Sequence, residues 1–129
     1  MPSDYIAAAR LRTALRELVH STELVTRRHR LTPRRYELLL FVQAADDEGA
    51  PATVTSLCGS LRTTQSSVTQ LVGASVRAGL QRRAPAPHDR RSMLLRLTPL
   101  GRRRLAAVFA ELGPEREALA RVIDEHFDA

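Results

Sequence analysis

Lysine and tryptophan are absent from this 129-residue chain, cysteine occurs once, and aromatic residues make up only 4%. A single cysteine, Cys58, cannot close an internal disulfide, which excludes a secreted disulfide scaffold. Apolar runs are short: Leu38 to Val42 falls far below the roughly 18 residues needed to span a bilayer. The opening Met1-Pro2-Ser3-Asp4-Tyr5 lacks the basic and apolar regions of a signal peptide. No P-loop, dinucleotide fingerprint or Ser–His–Asp spacing is present either. The expectation is a soluble cytoplasmic protein with no membrane partner, no cofactor and no enzymatic activity.

What is present is ordinary globular composition, with 43% hydrophobic and 26% charged residues. A mass of 14.3 kDa fits one domain with a core that needs no staples. The net charge is +6, and all twenty basic residues are arginine. Arginine forks onto phosphates and guanine edges in a way that lysine cannot reproduce, although a high-GC codon bias also favours it. Distribution says more than identity. Residues 62–104 carry ten arginines and one acid, Asp89, for +9, against +1 for residues 1–61 and −4 for 105–129. The middle third is the candidate polyanion-binding face.

The chain reads as about six helices with one short hairpin. Leu11, Leu15, Leu18, Thr22 and Val25 step by four and three along a first helix over roughly residues 4–29. Thr32-Pro33 opens a second helix as cap and first residue, and its apolar run from Tyr36 to Val42 suits burial on most sides. The loop 46–51 ends it, and Thr53 caps a third helix bearing Val54, Leu57, Cys58 and Leu61. Thr63-Thr64 breaks the chain again and caps a fourth helix with Val68, Leu71, Val72 and Val76 as its apolar face. Gly79 is placed to stop that helix in the left-handed region.

Residues 80–84 and 92–97 then suit two strands, with Met93, Leu95 and Leu97 alternating, joined by a long arginine-bearing tip. Thr98-Pro99 opens a fifth helix, and Gly113-Pro114 separates it from a sixth carrying Leu119, Val122, Ile123 and Phe127. A chain this short has few places to bury all its terminal stripes. Leu11, Leu15, Leu18, Leu119, Val122, Ile123 and Phe127 are therefore the expected homodimer interface.

Two short helices separated by a brief polar break, the second opening in small polar residues, describe a helix-turn-helix. A helix entering a major groove about 12 Å wide needs short side chains and a few hydrogen-bonding arms on its leading face. Thr64, Gln65, Ser66, Ser67, Thr69 and Gln70 supply them, with Gln65 the favoured base reader because it lies in the first turn. A solvated helix start would look similar, and the arginine-rich hairpin tips the balance. Arg62, Arg77, Arg82 and Arg83 suit phosphate contacts, and Arg90 and Arg91 act at the wing, where Asp89 would pair with an arginine to shape the tip.

The segment from Leu57 to Arg83, with Pro87-His88-Asp89-Arg90-Arg91 and Leu97-Thr98-Pro99-Leu100-Gly101, resembles the winged helix-turn-helix of the MarR family of bacterial transcription regulators. Leu31-Thr32, Ser67-Val68-Thr69, Leu71-Val72 and Gly79-Leu80 fit the same pattern, which runs over about residues 5–127. Arg62 stands where the family usually has a glycine in the turn, and Ser75 where it usually has leucine, with Val76 beside it as a substitute. The resemblance implies a mostly α winged-helix fold with dimerisation helices at 1–30 and 99–129 around a DNA-binding lobe at 31–98. It also implies a homodimer on double-stranded DNA, a repressor role, a wing arginine in the minor groove and a small anionic or aromatic effector. His20, Arg27, Tyr36 and Phe41 are the effector-lining candidates, with Tyr36 and Phe41 better read as core.

Cys58 raises a thiol-sensing alternative, but its place in an apolar helix face favours buried filler. His20, His29, His88 and His126 form no i, i+4 pair, so no metal site is expected. The remaining alternative is a winged-helix module that docks a protein rather than an operator.

Overall fold

A computed structural model describes residues 2–87 and 89–127, with the side chains of 3–87 and 93–127. The order is α1 (Pro2–Arg28), α2 (Pro33–Asp47), α3 (Val54–Leu61), α4 (Gln65–Arg77), β1 (Gln81–Ala86), β2 (Asp89–Leu97), α5 (Pro99–Glu111) and α6 (Gly113–His126). None of these helices is long and apolar enough to cross a membrane. The chain divides into two compact units, one formed by the residues up to Leu31 with those from Ala107, the other by Thr32–Ala106.

In the Thr32–Ala106 unit each helix starts where its cap lies. The Thr32 hydroxyl accepts from the Arg35 N–H at 3.1 Å, and Thr53 forms a reciprocal capping box with Ser56. Each of α1 to α4 is stopped by a left-handed residue: Arg30, Gly49, Arg62 and Gly79 have φ of 57°, 84°, 49° and 75°. At Gly79 the Leu80 N–H reaches back to the Ser75 carbonyl at 2.9 Å, and the Gly79 N–H to that of Val76 at 3.0 Å. That pair of bonds turns the chain sharply out of α4 into β1.

Leu38, Leu39, Val42, Leu57, Val68, Val72, Leu80 and Leu95 make the buried core of this unit. The register of α4 differs slightly from the apolar pattern. Val68, Val72 and Ser75 are buried, whereas Leu71 and Val76 are only half-buried. Val76 therefore does not replace the expected leucine: Ser75 itself fills that place, its hydroxyl lacking a partner among the described residues. A serine looks solvent-facing in sequence, and only packing reveals it as core.

The hairpin is longer than its alternation suggests. β1 and β2 pair antiparallel from Gln81↔Leu97 to Pro85↔Met93, then shift register to Ala86↔Asp89. Strand thus replaces most of the expected long tip. Proline has no N–H for the ladder, which is why Pro85 reads as loop and why pairing becomes irregular beside it. Leu95 and Leu97 are buried as expected, but Met93 is exposed. A bond at 2.8 Å from the Leu95 N–H to the Ala52 carbonyl adds a one-residue bridge between the α2–α3 loop and β2.

Thr98 ties the hairpin to α5. Its hydroxyl donates to the Gly79 carbonyl at 2.6 Å and accepts from the Gly101 N–H at 3.1 Å, while its own N–H donates to Leu80 O at 3.0 Å. The first turn of α5 consequently rests on the backbone of Leu80. A Cβ on Gly101 would lie 1.9 Å from that carbonyl oxygen, so the glycine that ends the Leu-Thr-Pro-Leu-Gly run is a packing requirement.

In the other unit α1 packs along α6. Arg28 and His29 both bond Glu111, each at 2.7 Å. Those bonds, Arg28 first and then His29, hold the Glu111 carboxyl below the usual carboxylate range. A depressed carboxylate stabilises the fold fully above its unfolded pKa of about 4.3 and loses that contribution as pH falls through its lower folded value. Glu111→Gln should therefore be less stable than wild type at pH 7, and urea titrations should show the difference shrinking as pH falls below the ordinary carboxylate range.

Candidate nucleic-acid interface

The break between α3 and α4 is three residues long, Arg62 to Thr64. Arg62 sits in the left-handed region at φ 49°, ψ 54°, the position where glycine carries no Cβ penalty. Arg62→Gly should therefore raise stability by about 1 kcal/mol, read as a higher urea midpoint with an unchanged slope. If Arg62 also meets phosphate, the same variant will bind duplex DNA more weakly, so the two roles move in opposite directions.

Thr64 is the N-cap of α4. Its hydroxyl accepts from the Ser67 N–H at 3.1 Å and donates to the Ser67 hydroxyl at 3.1 Å. Both side chains are thus engaged locally, and Thr64 primarily holds the helix start. Gln65, Ser66, Ser67, Thr69 and Gln70 are all exposed, as their polarity suggests. At 100° per residue, Gln70 projects roughly 170° from the centre of the buried Val68–Val72–Ser75 set, and Gln65 only roughly 50°. This orientation makes Gln70, with Ser66, the outermost arm and moves Gln65 to the flank.

Arg62, Arg77, Arg82 and Arg83 are exposed around this helix. Arg77 and Arg83 come from different elements and converge on Gly73. A point at the ideal Cβ position of Gly73 lies 3.3 Å from Arg77 Nη1 and 3.8 Å from Arg83 Nη2. Neither guanidinium has an acidic partner among the described residues. Two cations over bare backbone form a notch that suits an anion. The backbone of Asp89, Arg90 and Arg91 lies in β2, but their side chains, and His88 entirely, are outside the described residues.

Arg34 joins this face although no periodicity or motif in the sequence singles it out. It is exposed on the first turn of α2 and lines a surface hollow with Thr63, Ser67 and Gln70. The only local signal was a second arginine behind the Thr32-Pro33 cap.

Cys58 is half-buried rather than core filler, and it borders a shallow hollow with Gly59, Arg62, Thr63 and Thr64. Tyr36 is buried and Phe41 half-buried, while His20 and Arg27 are exposed. No group of three metal-ligating side chains occurs among the described residues.

At the chain ends, Leu15, Ile123 and Phe127 are exposed, and Leu11, Leu18, Leu119 and Val122 half-buried. Tyr5, Ile6, Val19 and Leu24 on α1 and Phe109 on α5 are exposed as well, none of which the leucine stripe had indicated. No residue of α6 is buried.

No family model and no curated protein matches this sequence. Solved structures do. A mutant MepR from S. aureus bound to an oligodeoxyribonucleotide is similar at TM-score 0.71, with 19% identity over 85% of this chain and 78% of that one. AbsC, a MarR family transcriptional regulator from Streptomyces coelicolor, gives TM-score 0.67, with 21% identity over 98% and 80%. The MarR family transcription regulator SP03579 gives TM-score 0.70, with 25% identity over 96% and 77%. The resemblance carried by the turn, hairpin and Leu-Thr-Pro-Leu-Gly run thus holds in three dimensions: this chain has the winged-helix fold of the MarR family transcription regulators.

Proposed function

We propose that the protein is a sequence-specific, double-stranded DNA-binding transcription regulator that acts as a homodimeric repressor by blocking polymerase access. The observation that carries this reading is the convergence of Arg77 and Arg83 over Gly73, neither with an acidic partner among the described residues, beside the exposed polar face of α4. Arg62 and Arg82 extend the cationic surface, and the sequence adds Arg90 and Arg91 to the strand β2. MepR, bound to an oligodeoxyribonucleotide, supports the same use of the fold.

Residues 1–30 and 99–129 serve dimerisation in this reading, and residues 31–98 the DNA. Support comes from apolar side chains such as Tyr5, Ile6, Val19, Ile123 and Phe127, which a single chain leaves in water. A two-fold dimer presents two α4 helices to half-sites whose centres lie about one turn, roughly 10 bp, apart. Selection from a random duplex pool tests the proposal. Enrichment of an inverted repeat with that spacing is expected, and a pool that stays random would instead favour a protein-docking module.

A further inference from the structure

Arginine at the start of a helix opposes the helix dipole, whose positive end lies there. α2 nevertheless opens with Pro33-Arg34-Arg35, and its first turn contains no acid. Arg34 is exposed and has no acidic partner among the described residues. Packing of α2 on α4 brings it to a hollow it shares with Ser67, Gln70, Leu71 and Ala74. Those four positions follow the i, i+3, i+4, i+7 spacing of one helix side. Arg77 and Arg83 converge at Gly73, which at 100° per residue lies roughly 110° around the axis from the middle of that side. Gln70 and Ser66 project between the two cationic flanks.

An α-helix with its side chains is about 10–12 Å across, and the major groove about 12 Å wide. A helix seated there therefore meets a phosphate chain on each side. Resting on the reading of α4 as the groove-entering helix, we propose that Arg34 holds a backbone phosphate of one strand while Arg77 and Arg83 hold the other strand of the same groove. Arg34 is then a DNA-binding residue contributed by α2, and α4 is bracketed by opposite strands. The two grips set how far the helix rotates and how deep it sits, which determines whether Gln70 reaches a base edge.

Wild type, Arg34→Ala, Arg34→Lys, Arg83→Ala and the surface control Arg12→Ala are titrated across salt against the inverted-repeat duplex enriched by selection. The duplex is also made with single methylphosphonates confined to one half-site, placed on each of its two strands in turn. Arg34→Ala should bind about tenfold more weakly, lower the slope of log K against log salt by about 0.9, and keep the base preferences. Arg34→Lys should recover most of the slope, and Arg12→Ala should match wild type. Within that half-site, Arg34→Ala should lose sensitivity to a methylphosphonate on one strand, and Arg83→Ala to one on the other. Wild-type affinity and slope in Arg34→Ala, equal losses in Arg12→Ala, or the same strand for both variants would overturn the inference while leaving DNA binding intact. Failure of the wild-type chain to bind any duplex would overturn both.

Discussion

Gly101→Ala is expected to lose about 3 kcal/mol of stability, the largest effect of any glycine-to-alanine change in this chain. The added Cβ would meet the Leu80 carbonyl oxygen at 1.9 Å and its carbonyl carbon at 2.9 Å. Both are backbone atoms, and Leu80 is fully buried, so neither neighbour can swing aside. Relief would require lifting the first turn of α5 from the α4–β1 junction, breaking the Thr98 bonds to Gly79 and Leu80. A melting temperature lower by about 10 °C is the expected reading. Ala106→Gly, on the exposed side of α5, should cost only about 1 kcal/mol, which separates the clash from helix propensity.

Joint replacement of Arg77 and Arg83 by alanine should have the largest effect on binding. The two side chains are exposed and join no ion pair among the described residues, so the fold should keep its wild-type stability within about 0.5 kcal/mol. Affinity for duplex DNA should drop about a hundredfold, and the slope of log K against log salt by about 1.8 if each arginine neutralises one phosphate. Because both guanidiniums approach Gly73, the single substitutions should fail to add, each already dismantling the shared notch. Gln70→Ala should behave differently, relaxing preference at one base pair per half-site with little change in salt slope. Strict additivity, with no change in salt slope, would remove Arg77 and Arg83 from the DNA.

The features legible in the sequence were those whose physics is local. A threonine that caps a helix and a proline in its first turn act within four residues, so Thr32-Pro33 and Thr98-Pro99 mark α2 and α5 correctly. Thr53, Thr64 and Gly79 are legible for the same reason. Features created by packing were not. Arg34 gains its meaning only when α2 lies on α4, and Ser75 enters the core through a small rotation of α4 that no apolar count reveals. The exposed Tyr5, Ile6 and Val19 lie off the leucine stripe, which is half-covered within the chain itself. Pro85 masked the continuing strand, and the Ala52 bridge is one residue long, too short for any period to show.

Stoichiometry on DNA tests the central claim most directly, because it requires the chain-end helices and α4 to act together. Sedimentation equilibrium of the protein with the enriched inverted-repeat duplex should give two chains per duplex. The free protein should sediment as a dimer at micromolar concentration. A single chain per duplex, or a stable free monomer with full affinity for the DNA, would contradict the account.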